Sequence, residues 1–103
     1  MSPLRRVVRT TYDFFEDLDR QLGRERGPNG EPSTNDFQNI ELLRIVDLFA
    51  EEFDSLPALL PDREDYRVLI AAGTLVRALT VVGQLSSDGA VELISLEIDL
   101  QFG

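Results

Sequence analysis

The stretch RALTVVGQLSSDGAVELISLEID, residues 77–99, decides the fold. Two apolar runs flank Ser86-Ser87-Asp88-Gly89, and Asp-Gly between such runs is a β-hairpin signal. Before the turn, residues 74–82 are nearly apolar throughout, as expected of a central strand. After it, Ile94, Leu96, Ile98, Leu100 and Phe102 alternate with Ser95, Glu97, Asp99 and Gln101, the period-2 pattern of a strand with one face buried. Upstream, Tyr66, Val68, Ile70 and Ala72 alternate with Arg67, Leu69 and Ala71, and Gly73 is placed for a tight reversal into residues 74–82. The C-terminal part therefore reads as a meander of three antiparallel strands.

The residues before it carry helical periods. Phe14, Phe15, Leu18 and Leu22 form one apolar stripe of a helix over residues 12–22, capped by Thr10 or Thr11 and stopped by Gly23. A second helix spans residues 36–56, with Ser33, Thr34 or Asn35 as its cap. Leu42, Ile45, Val46, Phe49, Phe53 and Leu56 fall within a core-facing arc. Phe37, Ile40, Leu43 and Leu48 lie on another arc, which either packs on the first helix or faces a partner. Between the helices, GRERGPNGEPSTN (residues 23–35) has no hydrophobic residue and reads as a loop. Pro57 and Pro61 end the second helix, and Asp62-Arg63-Glu64-Asp65 reads as a charged turn. Residues 4–11, short and β-branched, suit a first strand. The order is β-α-α-β-β-β: a single α+β domain with two helices on a small, mainly antiparallel sheet.

Composition excludes several chemistries. The chain contains no Lys, His, Cys or Trp. That removes thiolate and imidazole metal sites, Ser-His and Cys-His nucleophilic pairs, disulfides and a P-loop lysine. Hydrophobic content of 43% supports a folded core, and no apolar run is long enough to span a membrane or to act as a signal peptide. An intracellular, cytoplasmic protein is expected. Ten arginines face nineteen acids, a net charge of -9 that disfavours direct nucleic-acid binding. The charge is uneven: residues 1–11 carry Arg5, Arg6 and Arg9 without an acid, and the remaining residues hold a net −12. These three arginines either pair with neighbouring acids or form a basic patch for a negative partner.

Residues 53–73, FDSLPALLPDREDYRVLIAAG, resemble the end of the second helix, the proline-containing loop and the Tyr-Arg strand of the RelE/ParE toxin superfamily. Residues 77–99 resemble its two final strands around a polar hairpin. The resemblance implies a small toxin of a bacterial toxin–antitoxin system, neutralised by an antitoxin that wraps its surface. RelE-like members cut mRNA in the ribosome, whereas ParE-like members inhibit DNA gyrase and have no nuclease site. Arg67 matches the arginine of the Tyr-Arg strand, and Arg77 falls where nuclease members often place basic residues. The final strand departs from the nuclease pattern by offering Glu97 and Asp99, and the sequence reaches Gly103 without the basic or aromatic tail that often completes the site in that family.

RNA cleavage at a 2′-hydroxyl needs a base, an acid and a cation for the developing charge. The candidates are Arg67 and Arg77 for charge and Tyr66 or Tyr12 for proton transfer. Their spacing is not distinctive, and pairing with strand or helix acids is the alternative role for both arginines. The acids Glu51, Glu52, Asp54 and Asp62, Glu64, Asp65 follow no EF-hand spacing, so neither a metal nor another cofactor is expected. The leading expectation is a toxin-type protein that acts by protein binding through Phe37, Ile40, Leu43, Leu48 and the basic strand, with an mRNA endoribonuclease as the enzymatic alternative. An acidic interaction or inhibitor module, or a nucleic-acid mimic, is the competing reading. Expected partners are an antitoxin or another protein, with nucleic acid met only through a protein or ribosome complex. Homo-oligomerisation stays open.

Overall fold

A computed structural model describes residues 5–100. The chain runs β1 (Val8–Thr10), α1 (Tyr12–Gln21), α2 (Thr34–Glu52), a 3-10 turn (Phe53–Ser55), β2 (Ala58–Leu60), β3 (Arg63–Ala71), β4 (Ala78–Leu85) and β5 (Val91–Asp99). The strands form a sheet in the order β1-β5-β4-β3-β2, with β1 parallel to β5 and the other neighbours antiparallel. This is the expected α+β order with one additional strand. Leu4, Gln101 and Phe102, to which the first and last strands were expected to extend, lie outside the described residues.

Both helices start where local chemistry satisfies their free N–H groups. The Thr11 hydroxyl accepts from the Phe14 N–H at 3.3 Å and donates to the Leu93 carbonyl at 2.8 Å, tying α1 to β5. Ser33 and Asp36 form a reciprocal capping box at the start of α2, both hydrogen bonds 3.1 Å long. The end of α1 differs from expectation. Leu22 leaves the helix in an extended conformation (φ -125°) because its side chain is drawn into the core, and Gly23 takes no left-handed turn. After Glu52 the chain tightens into the 3-10 turn instead of continuing as α-helix to Leu56.

The sheet departs from the sequence reading at three places. Ala58–Leu60, expected as a loop, is a short edge strand on β3, and the chain turns at Pro61-Asp62 so that β3 begins at Arg63. Residues 74–77 do not join β4. The buried Glu41 carboxylate accepts the Thr74 and Leu75 N–H groups, so those amides are not available to a strand ladder. In β5, Gly83 pairs with Leu93 but Val82 pairs with Ser95, a bulge that leaves Ile94 as the extra residue. The bulge shifts the alternation by one position. Val91, Leu93 and Leu96 face the helices, and Ile94 is turned out of the core that its period had assigned it to.

The core lies between the helices and one sheet face. Phe14 and Leu18 of α1, Phe37, Ile45 and Phe49 of α2, and Leu69, Val81, Leu93 and Leu96 of the strands are its centre. Gly83 is required by space: a Cβ there would lie 2.5 Å from the Phe49 ring. Gly89 (φ 88°) supplies the left-handed residue of the β4–β5 hairpin.

Candidate functional site

Three groups of candidate residues can be placed. The first is the basic strand. Arg5 reaches Asp47 at 2.5 Å and Glu51 at 2.6 Å, both on α2. Arg6 meets Asp54 at 3.1 Å with its guanidinium 5.5 Å from the centre of the Phe53 ring. Arg9 pairs with Asp88 at 2.9 Å and lies 3.7 Å from Glu92. Each arginine thus has an acid at hand, and Arg9 holds the Asp88 carboxyl well below the usual carboxylate range, helped by Ser86. These are solvent-accessible pairs whose individual contributions to stability are small. Their effect is to neutralise the patch locally.

The second group is the catalytic set. Tyr66 and Arg67 are consecutive on β3, so their side chains leave on opposite sheet faces. Arg67 donates to the carbonyls of Leu56 (2.8 Å), Glu64 (2.8 Å) and Asp54 (3.2 Å), and its guanidinium lies 5.5 Å from the Phe53 ring centre. It pins the exit of α2 to the sheet. Tyr66 sits under the Arg63 guanidinium, 4.7 Å from the ring centre, and Arg63 in turn holds the Asp65 carboxyl at about 2. Arg77 stands just before β4, 3.9 Å from Asp99. Arg67 is opposite Gly83, so Arg77 is displaced from it along the sheet by roughly 20 Å at the usual strand rise. Tyr12, the other proton-transfer candidate, is exposed, and its hydroxyl bonds to Glu16, which raises its pKa away from base work. The structure does not bring these groups together.

The third group is the second stripe of α2. Phe37 is fully buried in the core, and Leu48 packs partly against it, so Phe37 offers nothing to a partner. Ile40 and Leu43 are 47% and 62% exposed. The stripe is therefore split by depth.

Two polar features escaped the sequence reading. Glu41 is 1% exposed, and Arg44, one turn along, donates to the Ala72 carbonyl at 3.3 Å, so α2 grips both ends of the residue 72–75 segment. The signal was available: position 41 follows Phe37 and precedes Ile45 by four residues each, on the buried face. The other feature is Asp17 and Gln21 of α1. Asp17 accepts the Leu96 N–H at 3.0 Å, and Gln21 accepts the Ile98 N–H and donates to the Leu96 carbonyl, both at 2.6 Å. Because β1 pairs only with Val91–Leu93, the rest of that β5 edge would be open, and the helix side chains close it.

Among the described residues, no three acids are grouped so as to hold a metal ion. Asp54 and Asp65 of the two acid clusters are engaged by Arg6 and Arg63. A small, partly open pocket below α2, lined by Glu41, Leu48 and Leu79 among others, has a volume of about 10 Å³, the room of one water. Among the described residues, no helix is long and apolar enough to cross a membrane. No protein-family model, curated protein or solved structure matches the chain.

Proposed function

We propose that the chain acts by binding another protein, as a toxin-type component of the RelE/ParE kind that is not a competent nuclease. The supporting observation is the separation and engagement of Tyr66, Arg67 and Arg77: acid–base work on a phosphodiester needs its groups within hydrogen-bond reach of one reacting centre. Exposed large apolar side chains, Ile40 and Leu43 on α2 and Ile70 on β3, are the kind of surface a protein partner covers. The toxin form of the reading draws on the sequence resemblance and on the β-α-α-β-β-β order.

Strong expression of the chain alone should arrest growth, and co-expression of the product of an adjacent reading frame should relieve the arrest. A Tyr66→Phe, Arg77→Ala double variant should remain toxic, since neither residue holds the core. Loss of toxicity in that variant, with an unchanged melting temperature, would restore the nuclease. Unimpaired growth under strong wild-type expression would remove the toxin and leave the second reading, a non-toxic acidic interaction or inhibitor module. The net charge of -9 favours that second reading, and its binding to a basic partner should weaken steeply with salt.

A further inference from the structure

The helices cover one face of the sheet, and among the described residues no layer lies over the other. On the uncovered face, cross-strand pairing sets Val68 beside Val82 and Ile70 beside Thr80, with Ser95 and Glu97 next to them on β5. Ile70 is 73% exposed, and none of Val68, Ile70, Val82 or Ile94 belongs to the core or packs against it. A β-branched stripe on a solvated sheet face is unusual, because antiparallel sheets normally put polar residues there.

The charge around the stripe that is not paired within the fold is negative: Arg63, stacked on Tyr66, is held by Asp65. β5 contributes Glu92, Glu97 and Asp99. Arg9 and Arg77 approach the first and third, and Glu97 has no ion pair among the described residues. Nucleic acid and anionic lipid surfaces would be repelled by such a face. A second copy of the chain would set two acidic borders against each other. A basic partner is complementary.

The edges of the sheet narrow the partner's shape. Beyond Leu93 the β5 edge is occupied by Asp17 and Gln21; on the opposite side the three-residue β2, bounded by Pro57 and Pro61, covers β3 from Arg63 to Arg67 and leaves only a short open edge beyond Val68. Proline and short length both discourage strand addition. The broad contact surface on offer is then the side chains of the face.

From these observations we infer that the uncovered sheet face is a docking surface for a basic amphipathic helix of a protein partner. Its apolar side would lie on Val68, Ile70 and Val82, and its Lys or Arg side chains would reach Glu97. The inference rests on the protein-binding reading above and specifies where that binding occurs.

The test uses two synthetic helical peptides of the same amphipathic pattern, one with leucine and lysine and one with leucine and glutamate. Titration of the full chain is followed by fluorescence anisotropy and by amide chemical shifts. The lysine peptide should bind, perturbing Val68, Ile70, Thr80 and Val82, and the glutamate peptide should not. Ile70→Ser should weaken binding about tenfold, the loss expected when one large apolar side chain is removed from an interface. Glu97→Gln should weaken it about threefold, and raising salt from about 0.05 to 0.5 M should weaken it further. Asn39→Ser, at an exposed position of α2, should change nothing. Shifts centred on Ile40 and Leu43 would overturn the choice of face while leaving protein binding in place. Equal binding of both peptides, or of wild type and Ile70→Ser, would overturn the inference outright. So would dimerisation of the free chain that Ile70→Ser abolishes, because it would make a second copy the occupant. The growth assay decides the toxin reading independently of all these outcomes.

Discussion

The two faces of the sheet are built from neighbouring residues of the same strands and have opposite fates. Leu69 is buried and Ile70 is 73% exposed; Val81 is fully buried, whereas Val82 stays outside the core. Apolar side chains on the helix side are accounted for by folding, since they bury surface against Phe14, Phe37 and Phe49. Those on the other side are not. Apolar character on both faces was the reason residues 74–82 looked like a doubly buried central strand. What distinguishes the faces is only that the helices reach one of them. Surface that folding leaves uncovered is available for binding.

The contrast can be broken most forcefully from the core side. Phe49→Ala should destabilise the chain by about 3–5 kcal/mol, because the ring fills the space over Gly83 and leaves a cavity when removed. Urea denaturation measures this, and a loss below about 1 kcal/mol would mean the helix layer is not seated as described. Next in size, Glu41→Ala should remove about 3 kcal/mol by stranding the Thr74 and Leu75 N–H groups beneath α2. Its signature is accelerated hydrogen exchange at those two amides before global unfolding. A uniform acceleration across the sheet would instead indicate general destabilisation.

A Gln21→Ala change sharpens the account of the edges. It should lower stability by about 1–2 kcal/mol and expose the Ile98 amide to exchange. If that amide stayed protected, β5 would have another cover. A smaller effect is expected from acid. Arg26, Arg63 and Arg9 hold the carboxyls of Asp36, Asp65 and Asp88 below their ordinary value of 3.8, Asp65 at about 2. The ionised carboxylates therefore stabilise the fold above about pH 4, and that contribution fades as pH falls through the folded-state values. The urea midpoint should decline between about pH 5 and pH 2, and Asp65→Asn should make the decline shallower. An unchanged slope in that variant would show that the Arg63 pair contributes nothing.

Legibility from sequence followed the range of the interactions involved. The Asp-Gly turn, the α1 stripe and the capping sequence Ser33-Thr34-Asn35-Asp36 are local signals, and each led to the correct element. The β5 bulge was not legible, because the alternation of residues 94–102 is regular and carries no sign of the register shift between Val82 and Gly83, where Gly83 lies close to the Phe49 ring. The β2 strand was hidden by the prolines on both sides of it. Placement of the candidate site residues depended on long-range partners. Arg5 finds Asp47 and Glu51 across the chain, and Arg9 finds Asp88, pairings that spacing along the sequence does not reveal. Phe37 and Ile40, treated as one stripe, differ by a rotation that puts the first inside and the second at the surface.

The most direct measurement of the central claim is a paired one on Ile70→Ser: its urea midpoint and its affinity for the basic helical peptide. The account predicts a stability change within about 0.5 kcal/mol, as for other exposed positions, together with an approximately tenfold loss of affinity. An unaltered affinity would show that the uncovered face is not where a partner docks, and a large fall in the midpoint would show that Ile70 belongs to the fold.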